Sequence, residues 1–216
     1  QGKADFLLMN VDDVIRKAGR RFGDSNNVLI LAADFFDFIN DGQLQIVRLT
    51  GDIKTTNTGA AASTYPLSLP ATFIRGERME YDGNPLKLIT KRDLDDLNVD
   101  VADYPDSPNF FYYYNNQVHL YPDPPVGDTT SVSFIYWSMP TSVTGTGQNL
   151  TVPIAHHEDL VTFVVARCHE RNENWAMYQQ LMNEFNAGLG QRIEEAKVKN
   201  DTYPIIQDDY WDSWYQ

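Results

Sequence analysis

The stretch 157–168, HEDLVTFVVARC, decides the fold of this chain. Its apolar and ring-bearing side chains recur every three or four residues, which lays one continuous stripe along an α-helix. The stripe comprises His157, Leu160, Val161, Val164, Val165 and Cys168. The same period continues from Trp175 to Ala196, so the spacing predicts a long helical block within 153–200. Because such a stripe is stable only when it is covered, other helices must pack against it.

Two further helices are predicted near the amino end of the chain. The segment 11–22 carries apolar residues on one face and basic residues on the other, and Asn10 can cap its start. After a break at Gly23-Asp24, the apolar period resumes at Leu29 and runs to Leu49. Helices from both ends of the sequence can bury their stripes by packing together, which predicts a helical bundle.

The middle of the chain has the composition of strands and turns rather than helices. An aromatic run, an Asn115-Asn116 turn and a return strand give the clearest hairpin signal, over 109–125. Before it, 51–70 reads as a strand, a flexible loop and a second strand. The remaining predicted strands are 73–81, its return strand 86–89 after an Asp82-Gly83-Asn84-Pro85 turn, and 131–137.

Together these patterns predict an α+β fold. It consists of a mainly helical bundle, in which N-terminal and C-terminal helices pack together, with a β-rich hairpin insertion and an extended C-terminal tail. The predicted division is 1–50 for the N-terminal bundle helices, 51–152 for the insertion, 153–200 for the C-terminal bundle helices and 201–216 for the tail.

The composition predicts a folded chain without a membrane partner. Hydrophobic residues make up 42% of the 216 residues, which is enough for a packed core. No run of roughly eighteen apolar residues occurs, and the opening QGKADFLLMN lacks the basic region and apolar core of a signal peptide. We therefore expect the protein to stay in the compartment where it is made until it joins an assembly. The formal net charge of −13 argues against a chain that grips phosphate backbones.

The sequence contains no motif that predicts catalysis. Nucleotide-binding glycine loops, a GxSxG elbow and a Cys-His pairing of the catalytic kind are all missing, and the single cysteine, Cys168, permits no internal disulfide. Candidate metal ligands are His156, His157, His169 and Glu170. However, His157 and His169 lie about 120° apart around a helix and do not converge. We predict no catalytic residue, no metal site and no cofactor, with an acidic metal-binding helical enzyme as the alternative.

The last sixteen residues, DTYPIIQDDYWDSWYQ, differ in character from the rest of the chain. They contain four Asp and five aromatic residues but no Lys or Arg. Large rings at a terminus remain soluble when they dock, and Trp and Tyr are enriched at the anchors of protein interfaces. The predicted partner-binding residues are Tyr203, Ile205, Ile206, Tyr210, Trp211, Trp214 and Tyr215.

A second candidate surface is the basic face of the first helix. It carries Arg16, Lys17, Arg20 and Arg21. In an acidic chain such a patch more often faces an acidic partner surface than DNA, so electrostatic contact with a protein partner is the main hypothesis and contact with DNA the alternative.

The order of these features resembles the head-to-tail adaptor, or connector, proteins of short-tailed bacteriophages. The resemblance spans about 11–199 and rests on an ordered set of motifs. These are the first helix with its Gly-Asp break (14–24), the second helix ending near Leu49, YPLSLP at 65–70 followed by Phe73, PNFFY at 108–112, HLYPDPP at 119–125, IYWSMP at 135–140, and 150–153 leading into paired helices.

The resemblance implies a structural protein of the phage neck rather than an enzyme. Such a protein forms a ring, usually of twelve copies, that connects the portal to the tail and continues the DNA channel. Implied partners are the portal protein, tail or nozzle proteins and further copies of this chain, while DNA passes without specific binding. The implied location is the virion neck, with assembly in the host cytoplasm and a part in genome ejection. A different tail-tube or tail-completion protein is the nearest alternative.

Overall fold

The computed structural model describes residues 9–26, 28–96 and 107–200. Within these ranges the chain combines helices with β-sheets, so the predicted α+β class is confirmed. The helices are α1 (Val11–Phe22), α2 (Ala32–Thr50), α3 (Lys91–Asp96), α4 (His157–Arg171) and α5 (Trp175–Asn200). The strands are β1 (Lys54–Ala61), β2 (Leu67–Ser68), β3 (Phe73–Tyr81), β4 (Asn84–Pro85), β5 (Lys87–Leu88), β6 (Phe110–Tyr114), β7 (Gln117–Tyr121) and β8 (Ser131–Ser138).

The described residues divide into two compact units. The helical unit comprises 9–42, Thr144–Asn149 and 154–200, and the sheet unit comprises Gln43–Val143 and Leu150–Pro153. The first dividing point lies inside α2, after Gly42. The helical unit therefore contains α1, the first part of α2, α4 and α5, while the strands and α3 belong to the sheet unit.

Helix α4 is the most deeply buried element of the helical unit. Every residue from Leu160 to Ala166 is buried, which covers all sides of the helix rather than the single predicted stripe. Helices α1 and α5 both pack on α4. Helix α2 also approaches closely at Gly42, where an added Cβ would lie 2.5 Å from Leu160 and 2.8 Å from Phe163. An apolar surface all round is typical of a helix enclosed by others.

The start of α1 is capped as predicted. The Asp13 N–H donates to the Asn10 side chain at 2.9 Å, and the Asn10 N–H donates to the Asp13 carboxylate at 3.3 Å. These two reciprocal bonds form a capping box, which satisfies amides that a helix start otherwise leaves unpaired. Gly23, with φ of 89°, ends the helix in the left-handed conformation that glycine favours.

Helix α2 begins later than the apolar period predicts. The helix starts at Ala32, so Leu29 lies outside it, and the Leu29 side chain is exposed rather than buried. The reason is local, because the Asp24 carboxylate accepts the N–H groups of Val28, Leu29 and Ile30 and holds them in a non-helical turn. The predicted assignment of Leu29 to the apolar face of the helix was therefore wrong.

Two four-stranded sheets form the sheet unit. Their strand orders are β1-β8-β3-β4 and β2-β7-β6-β5, and all pairs are antiparallel except β5 with β6. Buried side chains from both sheets, including Met79 on β3 and Leu120 on β7, belong to one hydrophobic cluster. The ring centroids of Phe73 and Tyr113, which lie on different sheets, are 5.8 Å apart. The two sheets therefore share one apolar core.

The predicted hairpin at Asn115-Asn116 is confirmed. Strands β6 and β7 pair antiparallel across it, and both asparagines have positive φ, 50° and 58°, as a tight two-residue hairpin turn requires. Strand β8 also appears where the alternation predicts it.

The return strand predicted at 86–89 was wrong in its pairing. After the Asp82-Gly83 turn, β4 pairs with β3 for only two residues. The chain then crosses to the other sheet, where β5 runs parallel to β6. Similarly, the predicted flexible loop after Lys54 is shorter than expected, since the whole run from Lys54 to Ala61 forms a strand against β8.

Gly51 closes the end of α2 against an aromatic ring. Its N–H donates to the Val47 carbonyl at 2.8 Å, and its φ is 70°. An added Cβ would lie 2.4 Å from the Trp137 ring, well inside van der Waals contact. Glycine is therefore required here both for backbone conformation and for space.

Replacing Gly51 by Ala is expected to destabilise the protein more than the same change at Gly127. Both glycines have positive φ, 70° and 82°, so either variant carries left-handed backbone strain of roughly 1–2 kcal/mol. Only Gly51→Ala also overpacks against a ring, which should add about 1–3 kcal/mol, because nothing lies within 4 Å of the Gly127 position. Urea unfolding followed by far-UV circular dichroism measures both losses. Equal losses in the two variants would contradict the close contact with Trp137.

Candidate partner-binding surfaces

The predicted partner-binding tail lies outside the described residues. Its members are Tyr203, Ile205, Ile206, Tyr210, Trp211, Trp214 and Tyr215. Their role as docking residues therefore stays a prediction.

The basic face of α1 is partly used within the chain. Lys17 forms an ion pair with Glu158 on α4, and the Arg21 guanidinium lies 2.8 Å from the other oxygen of the same carboxylate. Arg16 pairs with Asp13 on its own helix at 2.5 Å. Arg20 is exposed and has no ion pair among the described residues. Of the four predicted cations, Arg20 is thus the one most available to a partner.

Glu158 is the acidic centre of this arrangement. The hydrogen bond from Lys17 and the charges of Lys17 and Arg21 outweigh the effect of partial burial and hold the pKa of the Glu158 carboxyl below its usual range. The ion pairs of Glu158 with Lys17 and Arg21 are largely exposed, so they add little to the stability of the protein. Their main effect is to fix the basic face of α1 against the start of α4.

An apolar turn between α1 and α2 was not predicted as a surface feature. Val28, Leu29 and Leu31 are 74%, 64% and 61% exposed, while Ile30 between them is only 2% exposed and anchors the turn. The Asp24 carboxylate holds this apolar turn (28–31) by accepting three backbone hydrogen bonds of 2.8 to 3.0 Å. Four consecutive apolar residues cannot all face one side of a helix. The apolar run at 28–31 was therefore the sequence signal from which an exposed apolar turn could have been predicted.

The apolar turn lies at the end of the helical unit where α4 passes into α5. Arg171, the last residue of α4, pairs with Asp34 in the first turn of α2 at 3.0 Å. The Phe22 ring at the end of α1 meets the His169 ring edge-on, with centroids 5.0 Å apart. Trp175, the first residue of α5, is 56% exposed. This end of the unit therefore presents exposed apolar side chains from two connections.

A groove runs along α4 between α1 and α5. Its volume is about 330 Å³, and its apolar lining comes from Val165, Met177 and Leu181. Arg21 and His169 supply polar groups to the same lining. Burial lowers the pKa of His169, which favours the neutral imidazole, and its buried Nδ1 has no hydrogen-bond partner among the described residues. The groove is hereafter called the α1/α5 groove.

The histidines singled out by the sequence serve the packing of α4. His156 and His157 are buried, 5% and 1% exposed, at its start, and His156 lies 3.5 Å from Asp159. His169 lies near its other end. Across the described ranges, no three His, Cys, Asp or Glu side chains gather in a way that could hold a metal ion.

Cys168 is a buried core residue, as the stripe predicts. Burial, reinforced by the nearby charges of Asp24 and Asp34, raises the pKa of its thiol to about 12. The thiol therefore stays protonated at neutral pH and is a poor nucleophile.

The sheet unit carries an aromatic surface of its own. The Tyr112 and His119 rings stack with centroids 4.8 Å apart, and the Lys91 ammonium lies 5.1 Å from the centre of the Tyr114 ring. Beside them, Tyr65, Pro124 and Pro125 help to line a cavity of about 360 Å³. Burial raises the pKa of Tyr65 to about 12, so its hydroxyl stays protonated.

These apolar, aromatic and basic surfaces are of the kind by which structural proteins bind one another. The family model for the SU10 adaptor protein matches residues 9–207 of the 216-residue chain. The chain therefore belongs to the SU10 adaptor protein family. A search among curated protein sequences gives no significant match.

The family match confirms the predicted resemblance to a phage head–tail adaptor. The family is one of phage structural adaptors, which is not an enzyme class, and an adaptor interacts with other phage head and tail proteins. A phage adaptor belongs at the neck of the virion. Among the helices that the structure describes, none is both long and apolar enough to cross a membrane.

Asp24→Asn is expected to loosen the apolar turn and to reduce the acid sensitivity of the protein. Burial of Asp24 opposes its ionisation, but the N–H groups of Val28, Ile30 and Leu29 outweigh this and lower the pKa of the carboxyl. Because the folded pKa is lowered, the stabilisation is complete above the unfolded pKa of about 4 and is lost as the pH falls through the folded value.

Urea midpoints between pH 7 and pH 2 measure this effect. The variant should be less stable than the parent at pH 7 and should lose less stability on acidification. Asp37→Asn, on the exposed face of α2, is the matched control and should follow the parent. Identical pH profiles for the two variants would show that Asp24 does not support the turn.

Proposed function

We propose that this protein forms a ring in the phage neck that connects the portal to the tail and continues the DNA channel. The observation that carries the proposal is the family match over 9–207, which includes all the described helices and strands. The ring has twelve copies, following the resemblance to adaptors of short-tailed phages. Its partners are the portal protein, tail or nozzle proteins and neighbouring copies.

The helices make the wall of this ring. The close packing of α1, α2 and α5 around α4 supports a bundle built from the N-terminal helices of 1–50 and the C-terminal helices of 153–200. The β-rich region of 51–152 is then a side domain available to tail or nozzle proteins. Its exposed Tyr114 and Val126 are suitable contact residues, since they are 47% and 105% exposed.

DNA passes through the ring without specific binding. Each copy carries a formal net charge of −13, so a ring of identical copies would repel the phosphate backbone along its channel. This lets the genome slide during ejection. The exposed Arg20 and Arg16 of α1 contact an acidic protein surface rather than the DNA, in keeping with the acidic character of the whole chain.

The segment 201–216 anchors the ring to the portal. Its aromatic residues give the large, stiff contact area that interface hot spots use. The protein assembles in the host cytoplasm and then resides in the virion neck.

The mass of the protein with and without portal tests the ring. We expect a monomer alone and a complex with twelve copies once purified portal is added, because the portal would supply the template for ring closure. Native mass spectrometry or light scattering after size exclusion gives the copy number directly. A stable small oligomer whose mass does not change when portal is added would contradict the proposal.

Removing the aromatic side chains of the tail should abolish portal binding. Replacing Tyr210, Trp211, Trp214 and Tyr215 by Ser is expected to weaken binding roughly 100-fold or more, because each interface anchor of this kind contributes about 2 kcal/mol. Replacing Asp201, Asp208, Asp209 and Asp212 by Asn is the matched control, with four substitutions that keep the rings. Surface plasmon resonance on immobilised portal measures both. Unchanged binding of the Ser variant would show that the tail is not the anchor.

A further inference from the structure

The α1/α5 groove has features that call for an occupant. Its lining combines apolar side chains on α4 and α5 with Arg21 on α1 and Thr162 on α4. The buried Nδ1 of His169 has no hydrogen-bond partner among the described residues. A buried polar atom without a partner costs stability, so a rotation of the imidazole ring that brings this nitrogen to a donor in the groove would be favoured.

The apolar stripe of α5 is also incompletely covered. Among the α5 residues whose burial is described (175–195), only Phe185 and Leu189 are buried as core residues, and the Phe185 ring packs on Phe163 at 5.1 Å between centroids. Towards its start, Leu181 is half-buried and Trp175 is 56% exposed. The first three turns of α5 therefore offer apolar surface that the described residues cover only in part.

The segment 201–216 has the complementary chemistry. Its tryptophans would supply apolar rings and an indole N–H, which is a donor for the neutral imidazole of His169. Its four Asp residues match the cations along α1, of which Arg21 lines the groove and Arg20 is exposed without an ion pair among the described residues. Glu184 on α5 also lines the groove and would disfavour Asp residues on that wall. Charge thus sets the orientation of the segment, with its acidic side towards α1.

The segment is long enough to reach the groove of its own chain. Helix α5 extends to Asn200, so Leu181 lies nineteen residues before the helix end, roughly 28 Å along the axis. From Asn200 to Trp211 an extended chain covers up to roughly 36 Å. A return along α5 therefore brings the first tryptophan of the segment level with the groove.

We propose that, in the free subunit, the C-terminal segment 201–216 folds back along α5 and docks its tryptophan side chains in the α1/α5 groove of its own chain. The groove would keep the aromatic side chains out of water until a portal is available. Binding to portal then competes with this internal site, so the segment is exposed only where an assembly can receive it. The inference concerns the free protein and does not require that the segment binds portal.

Disulfide cross-linking in the full chain tests the proposal. Leu181→Cys in the groove is combined with Trp211→Cys, and in a second series with Trp214→Cys, because either ring could occupy the groove. The matched control is Gln179→Cys, which is exposed and lies about 160° around the helix from Leu181 at nearly the same height. Native Cys168 stays in place, since its thiol is buried.

After mild oxidation of dilute protein, we expect an intrachain disulfide that forms at least about tenfold faster from Leu181→Cys than from Gln179→Cys, in at least one of the two series. Mass spectrometry of the non-reduced protein separates intrachain from interchain products. Equal rates at the two α5 positions would overturn the proposal. Interchain products alone would overturn it too, since the occupant would then come from a second copy.

A protease measurement gives an independent readout. Chymotrypsin cuts after aromatic residues, so its rate of cleavage within 201–216 reports how far they are protected. Leu181→Arg should raise this rate at least about tenfold by filling the groove, whereas Gln179→Arg adds the same charge outside it and should not. Equal cleavage in both variants and the parent would count against docking in the groove, whether or not the protein binds portal.

Discussion

Burial of α4 on every side, with every residue from Leu160 to Ala166 buried, is the constraint on which the helical unit depends. A helix of this kind cannot be stable alone in water, and each fully buried aliphatic side chain contributes about 1.5–3 kcal/mol only when neighbours cover it. The covering helices come from distant parts of the sequence. Gly42 on α2 shows how tight that cover is, since Leu160 and Phe163 occupy the space that a side chain there would need.

The polar residues around α4 mostly support this packing. Arg192 on α5 binds the Asp159 carboxylate at 2.7 Å, and Glu158 beside it receives Lys17 and Arg21 from α1. The charged groups at the start of α4 thus connect three helices. This leaves the exposed apolar turn and the α1/α5 groove as the features that packing does not explain, and both suit contact with other protein segments. The family to which the chain belongs performs such contacts, between the head and the tail of a phage.

Much of the architecture could be predicted from the sequence because its signals are local. The capping box of Asn10, the glycine at position 23 and the Asn115-Asn116 turn each depend on residues a few positions apart. The errors occur where a distant or unusual interaction prevails. Asp24 delays α2 by binding three amides, and the switch of the chain from β4 to β5 depends on pairing with β6, more than twenty residues further along. Periodicity alone contains neither interaction. The α1/α5 groove could not be predicted from the sequence either, because its walls come from three helices that only the fold brings together.

A cryo-EM reconstruction of the virion neck tests the central claim most directly. We predict a closed ring of this chain between portal and tail, with its helices in the wall of the ring and acidic rather than basic side chains towards the DNA. Location of the chain elsewhere in the particle, or a channel lined by the Arg and Lys side chains of α1, would contradict it.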